Sequence, residues 1–196
     1  MPSAEAGGTT PGDRLPVFTP IGEETVHRGW LIRVDRATFL DPDGVPFERD
    51  IVRHPGAVAV VAVTDGGAVV LVRQYRPAVD DWLLEIPAGT RDVDGEPAED
   101  TAARELAEEV GYRADRWAHL ARTAVTPGFC DEITHIFLAT GLHPVPDDRQ
   151  GTEERYMEVV EVGFDRFDAM VDDGSIVDAS TILGVGLARR RLAGGH

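Results

Sequence analysis

Apolar residues recur along this chain with two different periods, and the switches between them mark out its elements. Residues 1 to about 16 carry neither period; they are rich in Gly, Pro, Ser and Thr and read as a loose tail. From Glu24 to Arg53 apolar and polar positions alternate, up to a turn signal at Asp41-Pro42-Asp43-Gly44, which predicts an antiparallel hairpin. The runs GAVAVVAV (56–63) and AVVLVRQYR (68–76), joined by Asp65-Gly66-Gly67, predict a second and more buried hairpin. WLLEIP (82–87) predicts a short strand that delivers the chain to a glycine loop. Beyond that loop the period lengthens to that of a helix, which stops at Gly111. Further strands are expected near 116–125, 132–140 and 156–164, and closing helices near 165–172 and 178–192. Strands sandwiched by helices make the expected class α+β, in a three-layer α/β/α arrangement with an N-terminal antiparallel β-region.

The helix before Gly111 carries the chemistry. At 100° per residue, Glu105, Glu108 and Glu109 fall within an arc of about 100°. Ala103, Leu106, Ala107 and Val110 fall on the other side and are expected to form the buried stripe. Acidic helix faces are usually solvated surface. Here, however, Glu105 and Glu109 are like charges at i,i+4, a placement that a merely soluble helix would balance with a cation. Arg104 is the one cation in this helix, eight positions after Glu96, where an ion pair could clamp loop to helix. Three carboxylates on an anchored helix can hold hard divalent cations, which take oxygen ligands and bridge to phosphates.

Composition narrows the reading. The chain has 196 residues, a one-domain length, and 42% hydrophobic content, enough for a full core. A net charge of −16 argues against a nucleic-acid partner or an anionic membrane, and it repels phosphate-bearing substrates until metals and local arginines reverse the field. Cys130, the single cysteine, leaves no internal disulfide and suits a reducing cytoplasm. The chain has no long apolar segment, which leads to the expectation of a soluble, intracellular protein.

The stretch Gly89–Tyr112 resembles a Nudix box, G-x5-E-x7-R-E-U-x-E-E-x-G-U with U bulky and apolar. Glu96, seven intervening residues and then Arg104-Glu105-Leu106-Ala107-Glu108-Glu109-Val110-Gly111-Tyr112 match that pattern. The departure is at the front, where six residues instead of five separate Gly89 from Glu96; this puts the loop conformation in question and leaves the acids in place. RQYRPAVDDWLLEIPAG, TPGFCDE and Pro127, fifteen residues past Tyr112, are similar to the ADP-ribose pyrophosphatase branch of that family.

The resemblance implies hydrolysis of ADP-ribose to AMP and ribose 5-phosphate, with Mg2+ or Mn2+ as cofactor. It implies Glu105, Glu109 and Glu108 as side-chain metal ligands, the carbonyl of Ala88 as a backbone ligand, and Glu96 with Arg104 as the support that fixes loop against helix. The general base is expected in the loop HPVPDDRQGTEERYMEV, at Glu153, with Glu154 as the alternative. Arg76 is expected to meet a phosphate, Arg73 is either a second such arginine or a surface residue, and Glu132 is expected to contact the substrate or its arginine. Trp30 or Phe39 would stack on adenine across a dimer or serve as plain core. Cys130 stands where the family more often has serine and reads as a small packing residue.

The implied organisation is a tail (1–16), a β-region that dimerises by exchange (17–54) and a catalytic domain (55–196), forming a homodimer. Two other functions fit the same residues. One is a pyrophosphohydrolase acting on another nucleoside diphosphate derivative: an NDP-sugar, NADH or a dinucleoside polyphosphate. The other is a non-catalytic ADP-ribose sensor, against which the complete acid set counts.

Overall fold

The computed structural model describes residues 15–149 and 151–194. The tail expected over 1–16 therefore lies outside the described residues, except for its last two. The chain divides into two compact units, one ending at Arg53 and the other beginning at His54.

The first unit is a three-stranded antiparallel sheet of β1 (Thr19–Arg28), β2 (Arg33–Leu40) and β3 (Pro46–Arg53) in the order β1-β2-β3. The sequence signalled only β2 and β3 as a hairpin. β1, TPIGEETVHR, is exposed at all ten positions, so no buried stripe marks it. Asp35 on β2 is 1% exposed and is held by Arg33, by Arg53 Nε at 3.1 Å and by the Thr25 hydroxyl at 2.9 Å. Those donors, the Arg33 hydrogen bond first, hold its carboxyl down at about 2. Phe39 stacks on its cross-strand partner Phe47, with Phe18 edge-on to the same ring, so Phe39 packs within the sheet. Trp30, at the β1–β2 turn, is fully exposed, which rules out a core role for it.

The second unit is built on a seven-stranded mixed sheet. Its strands are β4 (Ala57–Val63), β5 (Ala68–Arg76), β6 (Asp81–Glu85), β7 (Ala88–Thr90), β8 (Tyr112–Ala124), β9 (Ile133–Pro144) and β10 (Glu158–Gly163). The main path runs β10-β5-β4-β9-β8, with β6 on β5 and β7 on β4. β4 and β5 are joined by the expected turn but pair only at Ala62–Val70 and Val63–Val69. They then diverge, β4 running parallel to β9 and β5 antiparallel to β10. A tight turn fixes only the residues beside it, and both faces of β4 are buried, as parallel pairing requires.

Alternate residues of β4 serve different cores. Val58, Val60 and Ala62 meet α1 (Ala98–Val110), together with Leu106, Val110 and Met157. Ala59, Val61 and Val63 face the other layer. There Phe167 of α2 (Phe164–Asp172) and Val185 and Ala188 of α3 (Ala179–Ala193) complete the packing. This is the three-layer arrangement expected. Among the described residues, no helix is long and apolar enough to cross a membrane.

Candidate active site

The site forms where β7 runs beneath α1. α1 starts after Pro97, its Thr101 hydroxyl donating to Glu96 at 2.8 Å, and ends at Gly111 in the left-handed conformation with φ 69°. Its buried stripe is Ala102, Leu106 and Val110, with Glu109 only 4% exposed. Ala103 and Ala107, expected in that stripe, instead line a groove of about 420 Å³ with Arg104, Glu108, Arg113 and Trp117. The stripe is rotated toward the acids: Glu109 lies only about 20° around the helix from Ala102, so it goes inside with the core.

Glu109 accepts the Ala88 N–H at 3.0 Å, which sets the β7 peptide against the helix. Next to Ala88, a Cβ on Gly89 would stand 2.0 Å from the Glu105 carboxyl carbon, so only glycine lets the loop lie this close. Burial, first of all, and the charge of Glu105 push Glu109 up to about 8. Burial likewise pushes Glu105 up to about 7, against the pull of Arg104.

Two carboxylates one helical turn apart, both raised chiefly by burial and each also by neighbouring acids, form an arrangement that a divalent cation relieves. The donor set is all oxygen, as Mg2+ and Mn2+ require. Among the described residues, no three His, Cys, Asp or Glu side chains gather closely enough to hold an ion by side chains alone. A divalent ion held here would be completed by water, backbone and substrate oxygens.

Glu108 is held with Glu105 through Arg104, whose Nη1 lies 3.1 Å from the Glu108 carboxylate. Arg104 also meets Glu105 at 2.9 Å and Glu96 at 3.4 Å, so loop and helix are joined as the sequence suggested. Burial opposes the charge of Arg104, but its acidic partners outweigh that and raise its pKa.

Arg76 lies on the α1 side of β5, its Nε 3.0 Å from Glu85, a buried acid 6% exposed, and its charge reaches Glu109 and Asp178. Arg73 points to the opposite face, as the two-residue period demands, and pairs with Glu158 at 3.5 Å at the surface. It is thus not brought to Arg76. Glu132 sits in the β8–β9 loop, its carboxylate 4.0 Å from His54 and 3.3 Å from the Thr134 hydroxyl.

The charge of the loop acid Glu154 raises both Glu105 and Glu109. Glu153 precedes a single 3-10 turn (Glu154–Tyr156), its carbonyl accepting the Tyr156 N–H at 3.1 Å.

Sequence reasoning overlooked Glu85, Thr181 and Arg149. Glu85 did leave a signal, as the one acid in the apolar run WLLEIP. Thr181, fully buried, accepts the Ile86 N–H at 2.9 Å and donates to Asp178, tying the start of α3 to the strand that leads into Ala88. Neither it nor Arg149 carries a local pattern.

The NUDIX domain model matches residues 52–179. An ADP-ribose pyrophosphatase of Bacillus subtilis (strain 168) is 39% identical, over 82% of this chain and 86% of that protein. One of Mycobacterium tuberculosis (strain ATCC 25618 / H37Rv) is 40% identical, over 86% of this chain and 81% of its own. A crystal structure of an ADP compounds hydrolase superposes with a TM-score of 0.78 at 25% identity, covering 92% of this chain and 96% of that one. With its acid-bearing helix, its glycine-tight loop and these matches, the chain belongs to the NUDIX family.

Proposed function

We propose that this enzyme hydrolyses the diphosphate linkage of ADP-ribose to AMP and ribose 5-phosphate, with Mg2+ or Mn2+ as cofactor. The observation that carries the reading is the pair of buried Glu109 and half-buried Glu105 against the Ala88–Gly89 peptide. The substrate follows from the names of two relatives matched over more than four fifths of this chain.

Glu105 and Glu109, with the carbonyl of Ala88, would hold the metal, which when bound neutralises phosphate oxygens and lowers the pKa of water. Glu108 joins them if Arg104 releases it. A water oxygen bonds to one phosphorus as the bridging P–O bond breaks, and the departing phosphate leaves with the other product. Glu153 takes the proton of that water, with Glu154 beside it in the same loop as the alternative. Arg76 draws a phosphate oxygen with the part of its guanidinium that Glu85 leaves free. Glu96 and Arg104 brace the loop. Glu132 contacts the substrate, and Trp30 offers an exposed indole face to a base.

We also read the protein as a cytoplasmic homodimer, joined through the β-region 17–54. Ten exposed residues on β1, with Ile21 and Val26 among them, support that contact.

Incubating the protein with Mg2+ and a panel of nucleoside diphosphate derivatives tests the substrate. The expected result is fastest release of AMP with ribose 5-phosphate. Equal rates on NDP-sugars, NADH and dinucleoside polyphosphates would overturn the choice of ADP-ribose.

A further inference from the structure

The chain between β9 and β10 is fastened to the end of α1 at neighbouring carbonyls. The Val145 N–H donates to Gly111 O at 2.8 Å, the Asp148 N–H to Glu108 O at 3.0 Å, and Arg149 Nε to Glu109 O at 3.0 Å. Carbonyls in the last turn of a helix lack intrahelical partners, so this segment supplies what α1 needs. Arg149 has a second engagement. Its Nη1 donates to Met157 O at 2.7 Å, while Asp147 pairs with its Nε at 3.1 Å. The Met157 side chain is buried with Leu106 and Val110 of α1.

One planar side chain, 21% exposed, therefore joins the beginning of the segment, its end and the peptide of Glu109. Glu153 and Glu154 both lie inside that bracket, the Glu154 carboxylate accepting the Gly151 N–H at 3.0 Å and the Glu153 carbonyl the Tyr156 N–H at 3.1 Å. A lysine could carry the charge but has no rigid fork to reach two carbonyls at once.

We infer that Arg149 is a positioning residue for hydrolysis: by bonding the Glu109 and Met157 carbonyls together, it fixes the span bearing Glu153 and Glu154 relative to the carboxylate pair of α1. This rests on the reaction proposed above, with Glu153, or Glu154 beside it, as proton acceptor. Misplacing a proton acceptor by an ångström costs turnover far more than it costs binding.

A double-mutant cycle with ADP-ribose and Mg2+ tests the inference. Arg149→Met should lower kcat by about 10–100-fold with KM within about threefold, and Arg149→Lys should recover only part of the loss. In a Glu153→Gln/Glu154→Gln background the same change should slow turnover by less than about twofold, because the acids it serves are already disabled. In the metal-free protein, amides of 151–157 should exchange faster in Arg149→Met while those of β4 stay protected.

Equal slowing in both backgrounds, an unchanged kcat or unchanged exchange would overturn the inference, as would a Glu153→Gln/Glu154→Gln enzyme at full rate. If Arg149→Met does not fold, Arg149→Lys carries the same cycle. A wild-type protein that cleaves no diphosphate would sink the hydrolase reading instead. The exchange experiment needs no substrate and would still judge the bracket.

Discussion

Glu109 shows how one side chain joins packing to chemistry. It lies next to Ala102 and Leu106 around the helix, so the core that buries them buries its carboxylate as well. Glu105 and Glu109, held up at about 7 and about 8, bind more protons folded than unfolded once pH exceeds their ordinary value of 4.5. Stability of the metal-free protein should therefore fall as pH rises from about 4.5 to 8. Thermal unfolding across that range checks this. Saturating Mg2+ should flatten the fall, and Glu109→Gln should make it shallower without metal; an equally steep fall in that variant would contradict the assignment. The acids, Arg104 and Gly89 were legible in the sequence because a helix and a tight loop are local patterns. The rotation of the buried stripe from Ala103 and Ala107 to Ala102 was not, because angle alone does not say which flank meets the sheet. Arg73 and Arg76 stand three apart on a strand, so opposite faces followed from periodicity once the strand was certain.

Among the elements, the strands and helices of the second unit fall close to where alternation and helical period put them. What escaped is how they pair. The Asp65-Gly66-Gly67 turn promised a hairpin, yet β4 leaves β5 after two residue pairs to run beside β9, more than seventy residues later. Hydrophobic pattern marks a strand as buried on both faces but does not name its neighbour. β7, three residues long, was read as part of the glycine loop; it pairs with β4 and holds Ala88 against Glu109. The extra loop residue before Glu96 leaves that contact intact, and the Arg104–Glu96 pair still closes at 3.4 Å. β1 was missed in part because a strand exposed throughout carries no apolar period. Tertiary ties such as Arg149 to Met157 O and Thr181 to Ile86 N join distant segments and have no local signature.

At the scale of the molecule, a net charge of −16 opposes an anionic substrate, so Arg76 and any bound metal must reverse the field locally. The first unit, with its exposed strand and apolar side chains, suits a second copy of the chain. Light scattering should therefore return a mass near twice 21.2 kDa, and a mass near the single value would contradict the dimer. The proposed reaction requires the Glu105–Glu109 pair of α1 to grip a divalent cation on which cleavage depends. Calorimetric titration of Mn2+ into wild type and Glu109→Gln, with ADP-ribose turnover followed on the same samples, tests it most directly. Saturable binding in the wild type, and loss of both binding and turnover in the variant, is the predicted result. Undiminished binding and full turnover in Glu109→Gln would contradict it.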